Sequence, residues 1–298
     1  MTQNQLNIKH KPKRIVGYAA RQKNGWWHTY RFLILRRSLQ VAILAAFTWP
    51  FFGFWILKGS LAASEFLGFI PLSDPFIFLQ ALSAGQVYAL SGIIGVILLA
   101  FTYWLLGGRS YCAWVCPINI VTDMAQWLRV KLKFKNHISL PRQARFWIML
   151  MVLFMSFLSH SIVWELINPI TAISRSIIYL SLNISSISLM LVFIIFILDS
   201  VIANRLWCGH LCPVGSFYKL LGTKTPFYIE ASKQNACDDC ADCYKVCPEF
   251  QVIKPALKTA ELRILDADCT RCGRCIDICH ANVFEFKWNL KSPPKITH

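Results

Sequence analysis

An all-α membrane domain of four transmembrane helices, paired as two similar hairpins and followed by a small cysteine-rich α+β domain, is the fold class this sequence predicts. Three observations carry it. Four long apolar runs lie between residues 38 and 207, a short motif recurs after the second and fourth of them, and eight of the twelve cysteines gather behind residue 221. With 55% hydrophobic and only 15% charged residues in 298, the chain is also more apolar than a soluble domain of its size usually is.

The spans are expected at 38–57, 86–106, 146–167 and 187–207, each near the roughly 20 residues a helix needs to cross a bilayer. The third run, rich in Met149, Met151 and Met155, and the Ile- and Val-rich fourth would each pass alone for a buried helix; four in series favour spans. Basic residues resist translocation, so their distribution sets orientation. Lys9, Lys11, Lys13, Arg14, Arg21, Lys23, Arg31, Arg36 and Arg37 precede the first run, and only Lys58 follows it. Arg109, Arg129, Lys131, Lys133, Lys135, Arg142 and Arg145 lie between the second and third, and Arg175 alone before the fourth. A multi-pass protein of the bacterial inner (cytoplasmic) membrane is expected, surrounded by lipid, with both termini cytoplasmic. Arg36-Arg37 followed by Ala62-Ala63-Ser64 faintly resembles an export signal, but paired arginines at a cytoplasmic flank are what this topology requires anyway.

Three segments follow: a basic arm (1–37), in which Trp26, Trp27 and Tyr30 suit a headgroup layer, a four-helix transmembrane domain (38–220), and a tail (221–298). Past Pro117 the apolar positions Ile118, Val121, Ala125, Leu128 and Leu132 share one helical face, which fits an interfacial helix or a packed cytoplasmic one equally. The 31 Lys and Arg against 15 Asp and Glu raise a nucleic-acid role. The charges follow the topology instead, and residues 207–298 show no dense basic stripe, so no nucleic-acid partner is expected.

The strongest chemical signal is Cys237-x2-Cys240-x2-Cys243-x3-Cys247-Pro248, repeated 32 residues on as Cys269-x2-Cys272-x2-Cys275-x3-Cys279. This is the two-cluster bacterial ferredoxin spacing, in which three close thiolates hold one [4Fe–4S] cluster and the fourth reaches the other. Crossed ligation is expected: Cys237, Cys240, Cys243 and Cys279 for one cluster, Cys247, Cys269, Cys272 and Cys275 for the other. Zinc and disulfides are the competing uses of such cysteines, and two identical four-cysteine runs on a cytoplasmic tail disfavour both. The second run departs from the pattern at His280, where proline is usual.

The recurring motif is R-x-[YW]-C-x3-C-P, at Arg109 to Pro117 with Cys112 and Cys116, and at Arg205 to Pro213 with Cys208 and Cys212. Its repetition suggests two hairpins of the same orientation related by an axis along the membrane normal. Cysteines four apart share a helical face. Three roles stay open for Cys112, Cys116, Cys208 and Cys212: one shared iron–sulfur or metal site, thiol redox pairs, or packing against a partner's clusters. Polar residues inside the runs are few. His160 and Asp199 are candidates for handling a quinol or its protons, and Glu165 reads as solvated.

Taken together, the four runs, the twin R-x-[YW]-C-x3-C-P motifs and the dicluster tail resemble the ferredoxin-type quinol dehydrogenase subunits NapH of periplasmic nitrate reductase systems, over essentially the whole chain. The resemblance implies an electron-transfer component rather than a stand-alone enzyme. It would pass electrons from quinol toward a periplasmic nitrate reductase with a NapG-like iron–sulfur partner and a NapC-like membrane-anchored cytochrome. Cys112, Cys116, Cys208, Cys212 and the eight tail cysteines fall at family positions. No Cys-x2-Cys-His haem motif is present, so crossing to the periplasm needs a further carrier. Two alternatives are a related polyferredoxin membrane protein for copper reduction or for oxidase or nitrous oxide reductase maturation, and a non-catalytic redox-sensing scaffold. The loop 61–85 lacks the Met and His clusters that copper handling favours.

Overall fold

The computed structural model describes residues 15–48, 57–61, 63–66, 70–134, 140–178, 186–259 and 261–289. Lys9, Lys11, Lys13, Arg14, Ala62, Lys135 and residues 49–56 of the first expected span lie outside them.

Helix α1 (Tyr18–Thr48) bends at Gly25, whose φ of 83° leaves the helical region. Strands β1 (Leu57–Gly59), β2 (Ala63–Phe66) and β3 (Ile70–Ser73) form an antiparallel sheet in chain order, with Ser64 opposite Leu72. Helix α2 (Pro75–Ser83) starts at once because Asp74 accepts the Phe76 amide at 2.8 Å while Pro75 presets the first helical φ. Helix α3 (Leu90–Leu106) packs on β3 so closely at Gly95 that a Cβ there would collide with the Pro71 carbonyl.

The next elements are α4 (Ser110–Trp114), α5 (Ile118–Leu132), α6 (Ala144–Ser159), a 3-10 turn (Val163–Ile167), α7 (Pro169–Ile178) and α8 (Ser186–Ile197). Two π-turns (Leu198–Ile202, Trp207–Leu211) then lead into α9 (Pro213–Leu221). Phe76, Tyr111, Ile118, Met149, Val152, Trp164, Val214 and Tyr218 build the core of this body. Its two motif-bearing halves touch backbone to backbone at Gly108 and Gly222, where no side chain fits between the chains.

In the tail, β4 (Phe227–Glu230) pairs on one side with β5 (Arg263–Ile264) and on the other with β6 (Glu285–Trp288), both antiparallel. Short helices α10 (Asp242–Val246), α11 (Ile253–Lys258) and α12 (Arg274–Ile278) cover this sheet, and Ile229, Val252, Ile253, Ile264, Ile276 and Val283 fill its core.

The expected four-span membrane domain does not stand. Among the described residues no helix is long and apolar enough to cross a membrane, which also corrects the expected multi-pass inner-membrane location. Within the described residues the charge-poor part of α1 runs only from Ser38 to Thr48. Helix α3 has 17 residues, about 25 Å at 1.5 Å each, short of a hydrocarbon core of roughly 30 Å. The third run breaks at His160, which adopts a left-handed φ of 50° and ends α6 after 16 residues. In the fourth, α8 stops after 12 residues, the chain widens into a π-turn, and Ala203 turns extended.

Candidate electron-transfer centre

The two tail cysteine loops are built alike. Asp239 and Ala241 take left-handed φ values of 54° and 62° around Cys240; Arg271 and Gly273 take 49° and 71° around Cys272. Left-handed residues at matched places give the two loops the same tight course past their middle cysteine. The fourth cysteine of each run ends a helix in extended conformation, Cys247 after α10 and Cys279 after α12. The thiols bearing on Cys243 are Cys240, Cys279 and Cys237. Those bearing most on Cys275 are Cys272, Cys247 and Cys269. This crossed grouping, with soft donors only, fits iron–sulfur cubanes. His280 Nε2 lies 3.4 Å from the Asp238 carboxylate, beside Cys240.

Cys112, Cys116, Cys208 and Cys212 come together as well, lining one cavity with Tyr111, Trp164, Trp207 and Val214. Burial pushes their thiols up, Cys212 to about 11 and Cys116 and Cys208 well above the usual value, and Cys112 bears on each of the other three, while Arg109 opposes the rise at Cys112 itself. Both motif arginines, Arg109 and Arg205, lie on the cavity wall.

What binds body to tail is a buried charge cluster. Arg109 Nη1 donates to Glu249 Oε1 at 2.8 Å and to the Asp268 carbonyl at 3.0 Å, while Nη2 reaches the Cys208 carbonyl at 3.3 Å. Arg145 pairs with Asp268, Arg142 with Glu249 at 3.1 Å and Lys219 with Asp268 at 3.0 Å. Glu249 stands two residues after Cys247, and Asp268 immediately precedes Cys269. Burial alone would push both carboxyls up. For Glu249 the Arg109 guanidinium, with Gln251 and Arg142, outweighs it, and for Asp268 Arg109, Arg145 and Lys219 do, so both sit below the ordinary carboxylate range.

A second cluster centres on Asp123 of α5, which pairs with Arg37 and Arg205 and with Arg36 at 3.1 Å. Burial again raises this carboxyl, and Arg205, Arg36 and Arg37 bring it below its usual value. A third ties α1 to α12: Asp277, fully buried between Cys275 and Cys279, accepts the Phe32 and Leu33 amides at 3.1 and 3.3 Å and pairs with Arg274. None of these contacts was expected from the sequence. The signal that could have found one is the arginine shared by both copies of the body motif.

The remaining polar candidates separate. Asp199 is buried and accepts the amide of Trp207, the neighbour of Cys208, at 3.0 Å. His160 is exposed and does not line the cavity. Glu165 accepts from Asn168 and Thr171 and pairs with Arg175 at 3.2 Å.

A family described as "4Fe-4S binding domain" matches residues 88–135 and 185–226, stretches that each hold one copy of the body motif. A second, "4Fe-4S dicluster domain", matches residues 230–280. The chain is 41% identical over 277 residues to the ferredoxin-type protein NapH of Haemophilus influenzae, covering 92% of this chain and 95% of that one. It is 37% identical to NapH of Escherichia coli, covering 95% and 98%. It is 42% identical to the methylamine utilization ferredoxin-type protein MauN of Methylorubrum extorquens, covering 94% and 96%. No solved structure matches it. Paired cubane-type cysteine loops, docked through buried arginines on a body that repeats a second cysteine motif, are the plan of an iron–sulfur electron-transfer protein, and the chain belongs to the ferredoxin-type NapH family, to which the MauN proteins are related.

Proposed function

We propose that the chain relays electrons from a quinol, through the tail clusters, toward a periplasmic nitrate reductase, working with an iron–sulfur partner subunit of NapG type and a cytochrome of NapC type. The observation that carries this reading is the junction of body and tail, where Arg109 links the backbone of Cys208 to the carboxylates flanking Cys247 and Cys269. When bound, the clusters supply one-electron carriers. The chain holds them with Cys237, Cys240, Cys243 and Cys279, and with Cys247, Cys269, Cys272 and Cys275. A quinol releases two electrons and two protons. Asp199, hydrogen-bonded beside Trp207, is better situated than the exposed His160 to accept a proton near the body cysteines.

The test is to mix the anaerobically loaded full chain with a water-soluble quinol analogue and follow the visible iron–sulfur absorption. Bleaching on a timescale of turnover supports the relay. Failure to bleach with the quinol, when dithionite does bleach the clusters, overturns it and leaves a redox-sensing scaffold. The 42% identity to MauN favours a second reading, the same relay serving methylamine utilization. Co-purification with the enzyme of one system or the other separates these readings.

A further inference from the structure

We propose that Arg271 is a redox-tuning residue, whose guanidinium favours the reduced state of the cluster on Cys247, Cys269, Cys272 and Cys275 and makes it the electron-retaining member of the tail pair. The assignment deepens the relay reading, on which its use rests, by naming the tail cluster where an electron comes to rest.

The two cysteine runs place opposite charges at one matched position. Cys237-Asp238-Asp239-Cys240 in the first answers to Cys269-Thr270-Arg271-Cys272 in the second. Asp239 and Arg271 both adopt a left-handed φ, 54° and 49°, so the loops run alike while their surroundings differ. The Asp239 side chain is 68% exposed and pairs with Lys258 at 2.8 Å, which leaves little net field at its cluster. Asp242 and Asp238 of the same run have Lys245 and His280 beside them at 3.2 and 3.4 Å. Arg271 is 2% exposed, and its guanidinium lies against Gly107 of the body, where a Cβ would collide with it. The Trp114 indole, also from the body, donates to its carbonyl at 3.2 Å.

The hydrogen-bond acceptors of this guanidinium are neutral. Nε donates to the Phe227 carbonyl at 2.8 Å and Nη1 to the Cys269 carbonyl at 3.0 Å, and among the described residues no carboxylate forms an ion pair with it. The other charges around this cluster are already matched: Glu249 by Arg109 and Arg142, Asp268 by Arg145 and Lys219, Arg274 by Asp277. Asp266 is exposed and bears on Arg271 less than Cys269 does. An enclosed cation without a counter-ion is costly. A thiolate-held cluster is net negative, more so when reduced, and the ligands Cys269 and Cys272 flank Arg271 in the chain. Burial of Cys269, Cys272 and Cys275 removes water that would steady an added electron, and the fixed charge of Arg271 takes over that part. An electron passing here from the cluster of Cys237, Cys240, Cys243 and Cys279 oxidises the donor by one and reduces the acceptor by one, with no bond or proton changed.

The test is a redox titration of the anaerobically loaded full chain, with cubane spins followed by electron paramagnetic resonance. Two midpoints are expected from the native chain. Arg271→Gln keeps a donor and drops the charge, and it lowers the upper midpoint by about tenfold in equilibrium constant, about 59 mV for one electron, while sparing the lower. Arg271→Lys, which keeps the charge, and Asp239→Asn, at the matched exposed position, hold both midpoints within about threefold of native. An upper midpoint unmoved in Arg271→Gln, a shift confined to the lower one, or an equal shift in Arg271→Lys overturns the proposal. Should Arg271→Gln fail to fold, contact-shifted cysteine protons in nuclear magnetic resonance of the half-reduced native chain decide. The electron on Cys269, Cys272 and Cys275 upholds the assignment, and on Cys237, Cys240 and Cys243 it overturns it. An unmoved midpoint with quinol bleaching sinks the tuning role and spares the relay; a moved midpoint without bleaching does the reverse.

Discussion

Replacing Arg109 by methionine tests the body–tail junction most sharply. The native guanidinium is 2% exposed and touches Glu249, both the carbonyl and carboxylate of Asp268, and the Cys208 carbonyl. Removing one partner of a buried ion pair costs about 3–5 kcal/mol, because the other charge is stranded away from water. Here Glu249 retains Arg142 and Asp268 retains Arg145 and Lys219, so the low end applies, about 3 kcal/mol. At 1.4 kcal/mol per factor of ten, that raises the open population roughly 100-fold. Anaerobic native-state hydrogen exchange, read on peptides covering 205–215 and 266–275, measures it. The Arg109→Met variant is expected to exchange there about two orders of magnitude faster, and Arg109→Lys to fall between, since an ammonium cannot span the same acceptors. Adding Glu249→Met to Arg109→Met recovers part of the loss, because the buried Glu249 charge goes with its partner, Asp268 keeps Arg145 and Lys219, and the cation then left unpaired, Arg142, is partly exposed to water. Exchange within threefold of the native chain in Arg109→Met would refute the idea that this cluster holds the junction.

Three further substitutions extend the account. Asp277→Ala unties α1 from α12 by removing the acceptor of the Phe32 and Leu33 amides, at a cost of about 1–3 kcal/mol, and limited proteolysis in α1 should speed up while native-like protection there would contradict it. Asp74 has its pKa pushed by burial from 3.8 to about 6, so the folded state binds the extra proton and stability falls as pH rises from 3.8 through about 6, then levels off. Asn caps as well as Asp, so Asp74→Asn is expected to raise stability by up to about 3 kcal/mol at pH 7 and by little below pH 4; a thermal-melt gain equal at both pH values would disprove this. Gly108→Ala drives a Cβ into the Tyr218 carbonyl and is expected to abolish accumulation of folded protein, whereas Gly215→Ala meets only ordinary contacts, the nearest at 3.7 Å, and should fold.

The cysteine chemistry was legible because its signal is local. Spacings of three and four residues place three thiols of each run in one loop, and the two-cluster spacing carries the expectation that the fourth serves the other cluster. The repeat of Arg109-x2-Cys112 and Arg205-x2-Cys208 likewise pointed to two related halves. Helix length was not legible. Hydropathy registers composition, and it gives no warning that His160 turns left-handed or that the backbone widens past Ile197. The basic residues were misjudged for a related reason. Arg36, Arg37, Arg109, Arg142 and Arg145 read as charges marking a cytoplasmic flank, yet each pairs with a carboxylate far along the chain, Asp123, Glu249 or Asp268. Pairs separated by some 90 to 160 residues leave no periodicity to read.

Electron paramagnetic resonance of the dithionite-reduced full chain, with spins integrated per chain and repeated on Cys272→Ser, addresses electron carriage by the tail most directly. The account predicts interacting cubane signals in the native chain and loss of the interacting component in the variant. A reduced native chain with no iron–sulfur signal, or a variant spectrum identical to it, would contradict the account.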